Sequence, residues 1–231
     1  EINNVLPFAN NMNTTDLTLA EVEKELNKIP GFACRVAIES AKLRVAELLK
    51  TNPHASAVER LQASGLVLPE PKEAVGMYDS VFVNGNRLLV SGHGPWVNGK
   101  PICGKVGSRR HVRKTGGVKR KQARLTAAEA RNAANHVALG VLASIEAEVG
   151  IYRIDRLLKT LGWVNCTKKF GDTPFVIDGF SEVMELVFGE IKGRGTRSAI
   201  GANTLPFGIA VEVECEFRLK SLASAKLSDK V

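Results

Sequence analysis

The sequence predicts an α+β domain, a sheet with helices packed on one of its faces, and three observations carry that expectation. The run Ile209 to Leu219 alternates: Ile209, Val211, Val213, Cys215 and Phe217 share one face of a strand, and Glu212, Glu214 and Glu216 share the other. Asn84-Gly85, set between Val81 and Val90, is a strong two-residue hairpin signal. Thr126 to Glu129 matches a capping box and opens a helix to about Val149, with Ala130, Ala134, Val137, Val141, Ile145 and Val149 on its buried side.

The remaining elements follow in chain order. Residues 1–70 read as a helical extension, with capping boxes at Thr18-Leu19-Ala20-Glu21 and Ser56-Ala57-Val58-Glu59. Between them, Ala33 to Lys50 carries Val36, Ala37, Ala41, Val45 and Leu48 or Leu49 on one stripe, which needs something to pack on. Gly65 and the Pro69, Pro71 pair close the extension. The main domain is placed at 71–222, with a tail at 223–231. Within it a second hairpin is expected at Asn98-Gly99, a strand over Arg153 to Thr167 and a helix over Phe180 to Ile191. Strands over Ser198 to Ala202 and Ile209 to Leu219 complete the sheet.

A chain of 231 residues with 44% hydrophobic content can bury one sizeable core. Cys34, Cys103, Cys166 and Cys215 are widely spaced without a CxxC pair, so they read as reduced thiols and not as a metal site or disulfide framework. No cofactor motif is present. No apolar stretch reaches the length of a membrane span, so no membrane partner is expected. A basic chain with reduced cysteines that starts at Glu1 suits a mitochondrial matrix, with the cytoplasm as the alternative.

Charge is distributed unevenly. Nine Lys or Arg and no acid fall between Lys105 and Arg124, and the rest of the chain holds 23 basic against 24 acidic residues. The net charge of +8 therefore originates in that one segment. Four glycines interrupt it, which disfavours a helix, and it reads as an exposed basic loop. Arg109, Arg110, Arg113, Lys114, Lys119, Arg120, Lys121 and Arg124 are its candidate nucleic-acid contacts, because clustered cations gain from displacing phosphate counterions. No aromatic side chain lies among them, so backbone contacts to structured RNA fit better than base readout.

Five separated phrases supply a family resemblance: Leu66-Val67-Leu68-Pro69-Glu70-Pro71, Gly76-Met77-Tyr78, the stretch Val81 to Pro95, Phe188-Gly189-Glu190, and Gly195 to Gly201. In this order they resemble the Rid/YjgF (reactive intermediate deaminase) family, some of whose members carry an endoribonuclease label. The resemblance spans about Ser56 to Leu219. It implies a chorismate-mutase-like fold, assembled as a homotrimer with clefts between subunits. It also implies hydrolysis of small 2-imino acids, or their enamine tautomers, to 2-keto acids and ammonia, the chemistry of a 2-iminobutanoate/2-iminopropanoate deaminase. Arg197 matches the family's carboxylate-binding arginine, a role that suits a planar guanidinium fork. Glu212 matches its water-positioning glutamate. Tyr78, Ser91 and Gly92 match positions that line the cleft. Ala199 departs from the pattern, since the family often has Cys there.

Two other readings of these residues compete. Arg197 and Glu212 read as a structural ion pair across neighbouring strands, and His93 as a hydrogen-bonded turn residue rather than an acid or base. At the level of the whole chain, the basic segment supports a noncatalytic RNA-binding or scaffold subunit of a ribonucleoprotein such as a ribosome.

Overall fold

The computed structural model describes residues 33–107 and 124–221. Its strands are β1 (Val81–Asn84), β2 (Arg87–His93), β3 (Trp96–Val97), β4 (Lys100–Pro101), β5 (Lys105–Val106), β6 (Arg124–Leu125), β7 (Ile154–Asn165), β8 (Thr196–Ala202) and β9 (Val211–Leu219). Its helices are α1 (Ala33–Thr51), α2 (Ala57–Ser64), α3 (Ala127–Glu148), α4 (Thr173–Phe188) and α5 (Glu190–Gly193). One five-stranded sheet runs β1-β2-β9-β7-β8. Its pairings are antiparallel except β7 with β8. Parallel neighbours need a crossover, and the segment containing α4 supplies it.

The alternation in β9 decides which way the sheet faces. Val211, Val213, Cys215, Phe217 and Leu219 are buried, and the intervening residues are not. The buried face packs on α3 and α4, where Phe180, Met184, Val137, Val141 and Ile145 are fully enclosed. Phe188 and Phe217 meet with ring centroids 5.9 Å apart in a tilted arrangement. Helices thus cover one face of the sheet, as the binary pattern predicts.

Both expected capping boxes among the described residues form. Ser56 and Thr126 each accept from the backbone N–H three residues on, while Glu59 and Glu129 reach back to the cap N–H. The box at Thr18 lies outside the described residues. Both hairpins form as well. Asn98 and Gly99 take φ values of 50° and 75°, the left-handed pair that a tight two-residue turn requires. In the first hairpin Asn84 pairs with Arg87, so the loop residues are Gly85 and Asn86, one position later than the Asn-Gly signal suggests.

Three expectations change. Helix α4 begins at Thr173, seven residues before the expected Phe180, because Pro174 sits in the first turn, where a missing N–H costs nothing. The buried stripe of α1 is Ile38, Ala41 and Val45, with Val36 and Ala37 only half-buried. Helix α3 buries Asn132, Ala133, Asn135, Ala138, Leu139 and Leu142 as well as Ala130, Ala134, Val137, Val141 and Ile145 of the predicted stripe, since both the sheet and α4 press on it, whereas Val149 caps the helix and is only half-buried.

Candidate active site

Strand β9 carries Glu212, Glu214 and Glu216 on the face of the sheet away from the helices. Their partners across β7 are Trp163, Leu161 and Lys159 in the same order. Glu216 is neutralised: Arg87 of β2 bonds its carboxylate, and that bond together with nearby Lys159 holds the acid below its usual range. Glu212 differs in its partners and in the direction of its pKa shift. It is half-buried and makes no hydrogen bond or ion pair among the described residues. Burial, reinforced by the Glu214 charge, pushes its pKa up.

Gly92 makes this placement feasible. A Cβ at Gly92 would collide with Glu212 Oε1, so only glycine lets the carboxylate lie against β2. Ser91 beside it donates its hydroxyl to the Asp79 carbonyl at 2.6 Å and its N–H to the Ser80 carbonyl, tying β2 to the segment that carries Tyr78. Tyr78 is 50% exposed on that segment. Tyr78, Ser91, Gly92 and Glu212 therefore belong to one neighbourhood at the β1–β2–β9 side of the sheet. Across the same end, Phe207 holds a left-handed φ of 56° and leaves its ring 65% exposed in the loop entering β9.

Arg197 lies elsewhere. On β8 it is level with Thr160 of β7, which is level with Cys215 of β9, and both of those are buried beneath the helices. Its guanidinium accordingly reaches α4, donating to Asp178 at 2.7 Å and to the Ser181 hydroxyl at 3.0 Å. Arg197 and Glu212 thus leave the sheet on opposite faces, with β7 between their strands. The reading of these two residues as an ion pair across neighbouring strands is overturned. Parity within each strand was legible, but the intervening β7 was not.

Asp178 and Ser181 are partners of Arg197 that the sequence reading missed. Two polar residues three apart within the apolar run of α4 were the available signal, because such a pair shares one helix face. Asp178 also takes a bond from Arg131 at 3.4 Å, Arg131 bonds Glu182 at 2.7 Å, and Lys42 of α1 reaches Glu182 at 3.3 Å. A chain of ion pairs therefore links the N-terminal extension to Arg197.

His93 is buried at the end of β2. Its Nδ1 donates to the Ser91 carbonyl at 2.7 Å, leaving Nε2 to accept from Ser144 at 2.9 Å, and burial lowers its pKa. It is a hydrogen-bonded structural residue as expected, but it ends a strand and does not lie in a turn. Cys166 and Cys215 are buried and Cys103 is half-buried. Burial pushes the thiols of Cys166 and Cys215 up, which removes them as nucleophiles. Among the described residues no group of His, Cys, Asp and Glu could hold a metal, and no helix is long and apolar enough to cross a membrane.

The two ends of the basic segment meet: β5 and β6 pair in parallel, placing Lys105 level with Arg124. Lys105 bonds the Asn203 carbonyl and side chain in the loop between β8 and β9. Arg109, Arg110, Arg113, Lys114, Lys119, Arg120 and Lys121 lie outside the described residues.

The fold matches protein Atu1372 of Agrobacterium tumefaciens, whose function is unknown, with a TM-score of 0.57 and 26% identity over 81% of this chain and 97% of that one. It also matches a protein of Shewanella oneidensis that carries an endoribonuclease label, with a TM-score of 0.61 and 24% identity over 71% of this chain and all of that one. No family model matches the sequence. Protein TCP17 of Trypanosoma cruzi is 33% identical over 163 residues, covering 70% of this chain and 92% of TCP17. The chain has a Rid/YjgF-like fold and belongs to one family with TCP17. In this Rid/YjgF-like chain the sheet is the expected one.

Proposed function

We propose that the protein hydrolyses 2-imino acids or their enamine tautomers to 2-keto acids and ammonia. The observation that carries this reading is Glu212, a half-buried carboxylate with no cationic partner among the described residues and a raised pKa, seated where Gly92 clears space for it. An unpaired acid of this kind is the form a general base takes when it must hold water near neutral pH.

In this mechanism Glu212 accepts a proton from water as the oxygen attacks C2 of the imine, giving a carbinolamine. Glu212 returns that proton to the nitrogen, and as the C–N bond breaks the carbinolamine hydroxyl gives its own proton up to Glu212, releasing ammonia and the keto acid. Arg197 holds the substrate carboxylate through its guanidinium fork. Asp178 and Ser181 fix that fork and leave donors unused, since a guanidinium has five N–H bonds to give.

Because Arg197 and Glu212 face opposite sides of one sheet, the cleft requires two copies, with Glu212, Gly92, Ser91 and Tyr78 from one and Arg197 from the next. Such a heterologous contact closes into a ring, and a homotrimer meets the requirement. Leu89, Phe82 and Ile200 are exposed on or beside the open face and supply apolar area for that contact. The test is ammonia release from freshly generated 2-iminobutyrate. Wild-type activity that vanishes in Glu212→Gln and Arg197→Ala supports the reading, and a folded, inactive wild type across a panel of imino acids removes it.

A second reading rests on a separate observation, the nine basic residues without an acid between Lys105 and Arg124. It makes the chain an RNA-binding subunit whose Rid/YjgF-like fold is a scaffold. Salt-sensitive retention of structured RNA, lost when the lysines and arginines of this segment are replaced by Ser, is its test.

A further inference from the structure

Both bonds that anchor Arg197 leave from one nitrogen: Nη1 donates to Asp178 Oδ1 at 2.7 Å and to the Ser181 hydroxyl at 3.0 Å. A terminal guanidinium nitrogen carries two hydrogens, so Nη1 is fully engaged, whereas Nε and Nη2 donate to none of the described residues. Those two nitrogens form the side-on edge of the fork, which can grip a carboxylate with two parallel bonds. Asp178 is the nearest carboxylate, and such pairs are frequently bidentate. Here Asp178 gives Arg197 one oxygen only.

The other oxygen is taken by a second guanidinium. Arg131 of α3 donates Nη1 to Asp178 Oδ2 at 3.4 Å, so Asp178 is shared between two arginines. Arg131 is itself fixed: Nη1 also donates to the Phe175 carbonyl at 2.8 Å, Nη2 donates to Glu182 at 2.7 Å, and the guanidinium stands 4.6 Å from the Phe175 ring centroid. It therefore cannot follow Asp178 toward Arg197. Helix packing sets the arrangement. A Cβ on Gly179, the neighbour of Asp178, would stand 2.2 Å from the Arg131 carbonyl oxygen, so glycine at this point lets α3 bring Arg131 alongside Asp178.

We propose that Arg131 is a positioning residue for Arg197: by occupying Asp178 Oδ2 it limits Asp178 to one bond with Arg197 and leaves the Nε and Nη2 edge to the substrate's carboxylate. The proposal rests on the imine-hydrolysis reading and adds to it a residue that touches neither the substrate nor the attacking water. Without Arg131, Asp178 turns both oxygens onto Arg197 and competes with the substrate for the same donors. The loss falls on binding and not on the chemical step, because the water is activated by Glu212.

Steady-state ammonia release from 2-iminobutyrate tests this, with thermal unfolding followed in parallel. Arg131→Gln should raise KM about tenfold, raise the inhibition constant of the product 2-ketobutyrate by the same factor, and leave kcat within about twofold. Arg131→Lys keeps a cation beside Asp178 and should raise KM less. A merely structural role would not depend on the charge of Asp178. In an Asp178→Asn background, where the second carboxylate oxygen is gone, Arg131→Gln should therefore change KM by less than about twofold. An unchanged KM in Arg131→Gln, an equal rise in both backgrounds, or a loss in kcat alone overturns the proposal and leaves imine hydrolysis in place. If Arg131→Gln fails to fold, Arg131→Lys in the two backgrounds decides by the same comparison. A wild type that releases no ammonia across a panel of imino acids removes the hydrolysis reading, and this proposal with it.

Discussion

Two ends of one strand face differ more than their sequence suggests. Glu216 and Glu212 sit four residues apart on the same side of β9, yet Arg87 and Lys159 hold Glu216 below its ordinary range while burial and Glu214 push Glu212 above it. The first is part of the sheet's surface. The second has the profile of a group kept for chemistry, since an ion pair is withheld from it and space is cleared for it at Gly92. The comparison teaches that identical residue types in a regular pattern diverge through their cross-strand neighbours, which a single strand's sequence does not contain.

The sharpest way to break this comparison is to neutralise each acid in turn. Glu212→Gln should lower kcat for imino-acid hydrolysis by about 10²–10⁴-fold, the usual range for a positioned general base, while Glu216→Gln leaves it unchanged. A coupled assay for ammonia reads both. Equal losses would erase the distinction.

Acid stability separates the chemistry from the fold around it. Burial lowers the pKa of His136 to about 4 from 6.5, and His93 shifts the same way. The unfolded chain therefore binds these protons first, so stability is complete above pH 6.5 and declines as pH falls toward 4, by about 3 kcal/mol for His136. Glu212 titrates with a raised pKa, so activity should fall with acid above the usual carboxylate range. Denaturation midpoints and kcat/KM followed over the same pH series should both drop, and His136→Gln should flatten only the first.

Adding one methyl group tests the space at Glu212. Gly92→Ala should destabilise the chain by about 1–3 kcal/mol through overpacking, with loss of activity, because the carboxylate must move. A chemical denaturation curve that matches the wild type would show that Glu212 is not held there.

The smallest effect has opposite signs at the two ends. A carboxylate with a raised folded pKa detracts from stability as pH rises from its unfolded value, in full above the folded one, whereas one with a lowered pKa adds to it above its unfolded value. At neutral pH Glu212→Gln should therefore raise Tm slightly and Glu216→Gln lower it slightly. Calorimetry showing the same sign for both would contradict the assignment.

Much of the fold was legible because its signals are local. The β9 alternation, the capping boxes at Ser56 and Thr126, and the turns at Gly85 and Asn98-Gly99 each depend on residues a few positions apart. What the sequence hid depends on tertiary neighbours. The start of α4 was obscured because a helix enclosed on most sides loses its 3.6-residue contrast, and the buried width of α3 for the same reason. Arg197 and Glu212 were both picked out by their family phrases, but the sequence gives no sign that β7 lies between their strands or that Asp178 and Ser181 anchor the arginine.

Subunit complementation tests the central claim most directly. Arg197→Ala and Glu212→Gln chains, each inactive alone, are unfolded together, reassembled in equal amounts and assayed for ammonia release from 2-iminobutyrate. A site shared between neighbouring copies predicts that activity returns to about a quarter of the wild-type level, the share of random contacts that join an intact Arg197 to an intact Glu212. A mixture that stays inactive, beside wild type carried through the same procedure and recovering its activity, would contradict it.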